Sequence, residues 1–162
     1  MILHIYTIIH VMISLIGIFT GLIVLFGMLA GRSLDGWTKW FLTTTILTSA
    51  TGFFFPFHGF TPAIKLGIIS SVVLLITIYA RYAKHLAGAW RWIYVVGASL
   101  ALYFNVFVAI VQSFEKIPAL KAMAPTQSEP PFKLTQLVVL ALFAVLTFVA
   151  AIRFRPEPLR VR

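Results

Sequence analysis

MILHIYTIIHVMISLIGIFTGLIVLFGMLAG, residues 1 to 31, contains no Asp, Glu, Lys or Arg. A helix needs about 20 apolar residues to cross roughly 30 Å of hydrocarbon, at about 1.5 Å per residue. The run exceeds that length without a charge and predicts a membrane-spanning helix. Two later stretches repeat the pattern: Ile93 to Phe114 and Leu134 to Ile152 are also free of charge.

The composition agrees. Of 162 residues, 60% are hydrophobic and only 10% charged. A soluble domain carries about 25–35% charge on its surface, so this chain could not cover one. There is no cysteine. That excludes disulfides, thiolate metal sites, thiolate-held iron–sulfur clusters and covalent c-type haem attachment. The net charge of +9 raises the question of nucleic acid. The basic residues lie at helix ends and in the tail, where they set membrane orientation, so no nucleic-acid partner is expected. No Lys or Arg precedes the first apolar run and no small-residue cleavage pattern closes it. It reads as a retained first helix, not a secretory signal.

The predicted fold class is all-α: a polytopic membrane protein folded as a five-helix transmembrane bundle, one domain in a lipid bilayer. Helices are expected over about 5–29, 37–55, 62–82, 89–114 and 132–154, with an outer loop at 115–131 and a tail at 155–162. Lys65 and Arg81 near the ends of the third span are expected to snorkel to the interface. In the outer loop, the opening of SFEKIPALKAMAPTQSEPPF (113–132) suits a short amphipathic turn, and APTQSEPP an extended loop.

One set of ends carries Arg32, Lys39, Arg81, Lys84, Arg91, Arg153, Arg155, Arg160 and Arg162, and the other Lys65, Lys116, Lys121 and Lys133. The first is therefore expected to be cytoplasmic, with the N-terminus outside and the C-terminus inside, in a bacterial inner membrane. Trp37, Trp40, Trp90 and Trp92 cluster at the same ends, as an aromatic belt does.

Polar residues inside a membrane are costly, so their positions carry functional information. Tyr6, His10, Ser14, Gly17 and Gly21 step by three or four and share one face of the first helix. His10 is therefore expected to point into the bundle. Gly17 and Gly21 form a GxxxG pair that permits close approach, within one chain or between chains. Thr44, Thr48, Thr51 and Gly52 make a similar stripe on the second helix, and Asn105 and Gln112 align on the fourth. In TGFFFPFHGFTP (51–62), Pro56 ends or kinks the second helix and Gly59 and Pro62 permit a turn into the third. His58 would then hang over a phenylalanine-walled region within reach of His10.

Several chemistries use such a pair. His10 and His58 are candidate axial ligands of a haem b, with Phe54 and Phe57 among the rings packing on the macrocycle. Gln112 and Glu115 would stand behind them. A histidine with Gln112 or Glu115 suits a quinone carbonyl or a proton relay. His4, His10 and His58 are candidate ligands of copper or zinc. His4 and His10 are six apart, on different helix faces, so that trio requires the first helix to start after His4. The remaining possibility is a structural or small-solute-handling protein without cofactor, in which His4 and His58 are interfacial and His10 is a packing residue. The acids Asp35, Glu115, Glu129 and Glu157 all lie away from helix centres, which disfavours proton-driven transport, and no phosphate-binding glycine loop, HExxH or nucleophile elbow is present. Partner subunits in a larger membrane complex, or a homo-oligomer, are both open.

His10 followed by GLIVLFGMLAGRSLDGWTKWFLTTTILTSATGF (21–53) resembles a broad group of uncharacterised bacterial inner-membrane proteins. The group shows a histidine on a glycine-bearing first helix, a short basic loop and a second helix ending in a TG-type pattern. The resemblance covers residues 10–55 and implies architecture, not activity. A loop histidine expected in the group is replaced here by the Asp35-Gly36-Trp37 region, so no ligand role follows for that loop.

Overall fold

Long apolar runs form helices in lipid because each backbone N–H must find its carbonyl within the segment. The computed structural model describes residues 1 to 156 and shows an all-α bundle without strands among them; residues 157–162, most of the predicted tail, lie outside the described residues. The elements are α1 (Ile2–Leu29), α2 (Asp35–Gly52), α3 (Pro62–Ile78) continued by a π-helical turn (Tyr79–Ala83), α4 (Trp90–Lys116), the short α5 (Pro118–Met123) and α6 (Pro130–Arg153).

The burial pattern departs from that of a water-soluble protein. Small and hydroxyl residues share the interior with Leu25, Phe41, Tyr94 and Leu102: Gly17, Thr20, Gly21, Thr38, Thr44, Thr45, Thr77, Gly97 and Ser99 are buried. Large aliphatic and aromatic residues face outward, among them Leu75, Leu137, Val138, Val145 and Phe148. In hydrocarbon the exterior need not be polar, and close helix approach favours small residues inside. Among the described residues, four helices are long and apolar enough to cross a membrane: Ile2–Leu29, Pro62–Ala83, Trp90–Lys116 and Pro130–Arg153. The chain is a multi-pass membrane protein.

The sequence reading expects five such spans. The fifth, α2, falls short because it is only 18 residues long and Asp35, Lys39 and its threonines dilute its apolar content. Four of those hydroxyls donate to carbonyls of their own helix, Thr44 to Trp40, Thr45 to Phe41, Thr48 to Thr44 and Thr51 to Leu47, at 2.6–2.9 Å. Their polarity is thus largely spent inside the helix.

Glycine contacts set the register of α1 against α2. A Cβ on Gly17 would lie 3.3 Å from Thr44 Oγ1, and one on Gly21 would lie 2.7 Å from Leu102 Cδ1 and 2.8 Å from the Phe41 ring. The GxxxG pair therefore serves packing within the chain, on α2 and α4. The central helix is α4, which packs against α1, α3 and α6.

Several boundaries differ from expectation for identifiable reasons. The second helix starts at Asp35 and ends at Gly52, not at Phe55. The amides of Phe53, Phe54 and Phe55 bond three residues back, to Ala50, Thr51 and Gly52, and Pro56 has no amide with which to continue. Thr61 caps α3 by accepting from the Ile64 amide at 3.4 Å, with Pro62 in the first turn. The π-turn at 79–83 closes with Lys84 N–H on Tyr79 O at 3.0 Å. In the loop between α4 and α6, α5 occupies the position of the expected short turn. The extended stretch is shorter than expected, because Pro130 and Pro131 open α6. Proline is tolerated there, where its missing amide would have no partner anyway.

Glu129 precedes that start. Its carboxylate accepts from the Thr126 hydroxyl at 2.8 Å and from the Thr126 and Ser128 amides at 3.1–3.3 Å. The Thr126 hydroxyl first, and the amides with it, hold the carboxyl below the usual carboxylate range. A depressed folded-state pKa means that the loop gains stability above the unfolded value and loses it as pH falls through the folded one. Protection of the Thr126 and Ser128 amides, the exchange rate relative to the intrinsic rate at the same pH, should therefore be constant from neutrality to about pH 4.5 and fall below it. Glu129→Gln should show the lower protection at neutral pH, the two chains converging in acid.

At the opposite end, Arg91 Nη1 donates to Ala151 O at 2.8 Å and Phe154 O at 2.5 Å, satisfying carbonyls left open where α6 stops. Arg91→Gln keeps a donor but loses the charge. A cost of about 1 kcal/mol is expected, read as a lower melting temperature in detergent. An unchanged melt would show that the cap contributes nothing.

Candidate functional site: the His10 end of the bundle

The stripe that places Tyr6 and His10 on one face of α1 faces the last turn of α2. His10 is half-buried, and its Nδ1 lies 2.8 Å from Thr51 Oγ1. Tyr6 donates its hydroxyl to Thr51 O at 2.5 Å. The Phe55 ring stands edge-on to both, with centroids 5.0 Å from Tyr6 and 5.1 Å from His10. Gly52 leaves room for the imidazole: a Cβ there would sit 3.8 Å from His10 Cε1.

Thr51 Oγ1 has one hydrogen to give and lies 2.6 Å from Leu47 O, 3.3 Å from Thr48 O and 2.8 Å from His10 Nδ1. With that hydrogen on Leu47 O the oxygen accepts from His10 Nδ1–H, and in that tautomer Nε2 keeps its lone pair. Histidines that ligate a metal, or accept a proton from a ligand, are held in this manner, with one nitrogen anchored and the other presented. At about 1.5 Å per residue, His10 lies about 12 Å along α1 from its first residue.

The other predicted residues are distributed differently. His4 and His58 are exposed. Among the described residues, no three His, Cys, Asp or Glu side chains come together as a metal-holding group, so His4, His10 and His58 are not assembled as a three-ligand site. The ring against His10 is Phe55; Phe54 turns outward at 78% exposure, and Phe57 is half-buried. Gln112 and Glu115 are exposed. Gln136 is more deeply placed, with Nε2 donating to Phe107 O at 3.3 Å and Oε1 buried without a partner. Asn105 presents Nδ2 toward Gly17, at the level of Thr44 and Thr45, also without a partner. His85 lies at the far end with a left-handed backbone, φ 48°.

A second polar cluster sits at that far end. Arg81, on the π-turn, pairs with Asp35 at the start of α2 and donates to Ser33 Oγ at 3.3 Å. Its guanidinium lies 5.1 Å from the Tyr94 ring centroid. The side chain is only 8% exposed, so it turns inward and does not snorkel as the sequence reading expects. Two apolar grooves of about 350 and 370 Å³ flank the outward ridge Trp92–Val96–Leu100 of α4, one toward α3 and one toward α6. Ser99 lines the second, its hydroxyl buried and without a partner.

Compared with known proteins, the chain matches no family model, no curated protein and no solved structure.

Proposed function

We propose that this multi-pass protein is a redox-accessory membrane subunit that binds a quinone-class cofactor at the end where α1 begins. The observation that carries the reading is the 2.8 Å contact of His10 Nδ1 with Thr51 Oγ1, which in the Nδ1–H tautomer leaves the Nε2 lone pair for a ligand. A quinol hydroxyl donates to such a nitrogen, and one histidine suffices. Haem b is the second cofactor class. It would use the same nitrogen on iron and need another axial group, for which His58 is the candidate. The proposal includes α2 as a fifth span, because its self-bonded threonines lower the cost of burial in lipid. It places the protein in a bacterial inner membrane with the N-terminus outside, because Arg32, Lys39, Arg81, Lys84, Arg91, Arg153 and Arg155 gather at the opposite end. A site at the rim of so small a bundle also suits a partner subunit or a second copy completing it.

The test is direct. The purified protein is extracted for quinone and examined in visible light before and after dithionite. Bound quinol, recovered as quinone where it oxidises on extraction, is expected, with retention falling about tenfold in His10→Ala, the value of one good hydrogen bond to the ligand, and unchanged in His85→Ala. A Soret band that shifts on reduction would assign haem instead. A colourless, quinone-free preparation would leave His10 as a packing residue that pins α1 to α2.

A further inference from the structure

Gly17 and Gly21 stand one turn apart on α1 but face different chemistry. A Cβ on Gly21 would meet carbon only, Leu102 Cδ1 at 2.7 Å and two atoms of the Phe41 ring at 2.8 and 2.9 Å. The three atoms nearest a Cβ on Gly17 are all polar: Thr44 Oγ1 at 3.3 Å, Asn105 Nδ2 at 3.5 Å and Thr45 Oγ1 at 3.6 Å. Helices α1, α2 and α4 thus gather one amide and two hydroxyls over a single glycine, midway along α1. Thr44 and Thr45 are only 5% and 0% exposed.

The hydrogens can be followed. The Thr44 hydroxyl lies 2.7 Å from Trp40 O, and that of Thr45 lies 2.7 Å from Phe41 O. With their hydrogens on those carbonyls, both oxygens present lone pairs to the space over Gly17. Asn105 Nδ2 is buried, has two hydrogens to give, and bonds nothing among the described residues. A buried donor beside two buried acceptors calls for a group that accepts one hydrogen and donates two. An ammonium could not accept, an anion would meet the oxygen lone pairs, and a methyl would satisfy none of the three. Water meets all of them, with the about three hydrogen bonds typical of an internal water. Toward His10 the next level carries the half-buried Ser14 and Thr48. In the other direction Leu25, Phe41 and Leu102 close the interior, each 1% exposed.

We propose that α1, α2 and α4 bind one internal water over Gly17, which accepts from Asn105 Nδ2 and donates to Thr44 and Thr45 Oγ1. The site lies about 10 Å along α1 from His10 and does not depend on a ligand there.

NMR of the full chain in bicelles, with glycine labelled with ¹³C at Cα, tests it with water itself as the probe. A water-to-Hα Overhauser effect is expected at Gly17 and at the exposed Gly59, but not at Gly21, whose hydrogens meet carbon. Asn105→Leu should abolish the Gly17 peak. Both threonine hydroxyls remain in that variant, so a peak relayed through exchanging hydroxyl hydrogens would persist. Thr45→Val keeps the shape without the oxygen and should weaken the peak. Absence of the Gly17 peak in the parent chain while Gly59 shows one would overturn the proposal. So would a peak of full strength in either variant. Equal peaks at Gly17 and Gly21 would overturn it too, since water would then line the whole α1 seam and not one site.

Discussion

Gly97→Ala is expected to be the most damaging single methyl added to the interior. A Cβ at that position would lie 2.1 Å from Thr77 Oγ1 and 3.3 Å from Thr77 Cβ. Thr77 is fully buried, and its hydroxyl is fixed on Val73 O at 2.7 Å, so it cannot simply swing away. Overpacking costs about 1–3 kcal/mol and occasionally more. Alanine in a helix returns about 1 kcal/mol of that. With an overlap this deep the steric term lies at the top of that range, and a net loss of about 2 kcal/mol is expected. The measurement is thermal or SDS-induced unfolding in detergent. Thr77→Ala alone should cost little, since the hydroxyl bonds only its own helix. Combined with Gly97→Ala it should recover most of the loss, a coupling of about 2 kcal/mol. A double variant no more stable than Gly97→Ala would show that the α3–α4 seam is not what the methyl disturbs.

The same contact shows what the sequence can and cannot disclose. The spans at α1, α4 and α6 are legible because they lack charge over a membrane's thickness, and hydrocarbon leaves such a segment little choice but helix. The α2 helix is read from the sequence as a fifth span, but hydropathy alone does not carry it, because hydropathy counts a threonine hydroxyl as exposed polarity. Its bond to the carbonyl one turn back exists only once the helix has formed. The inward face of α1 is legible from spacing alone: Tyr6, His10 and Gly17 all meet α2 or α4. The partner of His10 is not. Which residue of α2 stands opposite position 10 depends on antiparallel register, and that register is set by Gly17 on Thr44 and Gly21 on Phe41. It brings Thr51 and Phe55 to the imidazole, while His58 lies beyond them, exposed. The Asp35–Arg81 pair is hidden for the same reason, its members 46 residues apart on elements that only the assembled bundle brings together.

That pair carries the second large effect, and it falls on the less obvious partner. Asp35 is 71% exposed on its side chain, whereas Arg81 is 8% exposed. In Arg81→Leu, the carboxylate left behind is already in water, and leucine fills part of the space beside Tyr94. The loss is the charged hydrogen bond and the cation–π contact, offset by the desolvation no longer required, for a net of about 1 kcal/mol or less. In Asp35→Asn, a guanidinium stays buried without its counter-charge, and one of its nitrogens, Nη1, already lacks a partner. Stranding one member of a buried pair costs about 3–5 kcal/mol. Water reaching the exposed Asp35 side reduces that to about 2 kcal/mol here, including the acid's favourable place at the start of α2. Asp35→Asn should therefore unfold more readily than Arg81→Leu, and the double variant should sit near Arg81→Leu. The reverse order, measured in the same detergent, would mean that Arg81 reaches water and that the contact acts as an ordinary surface ion pair.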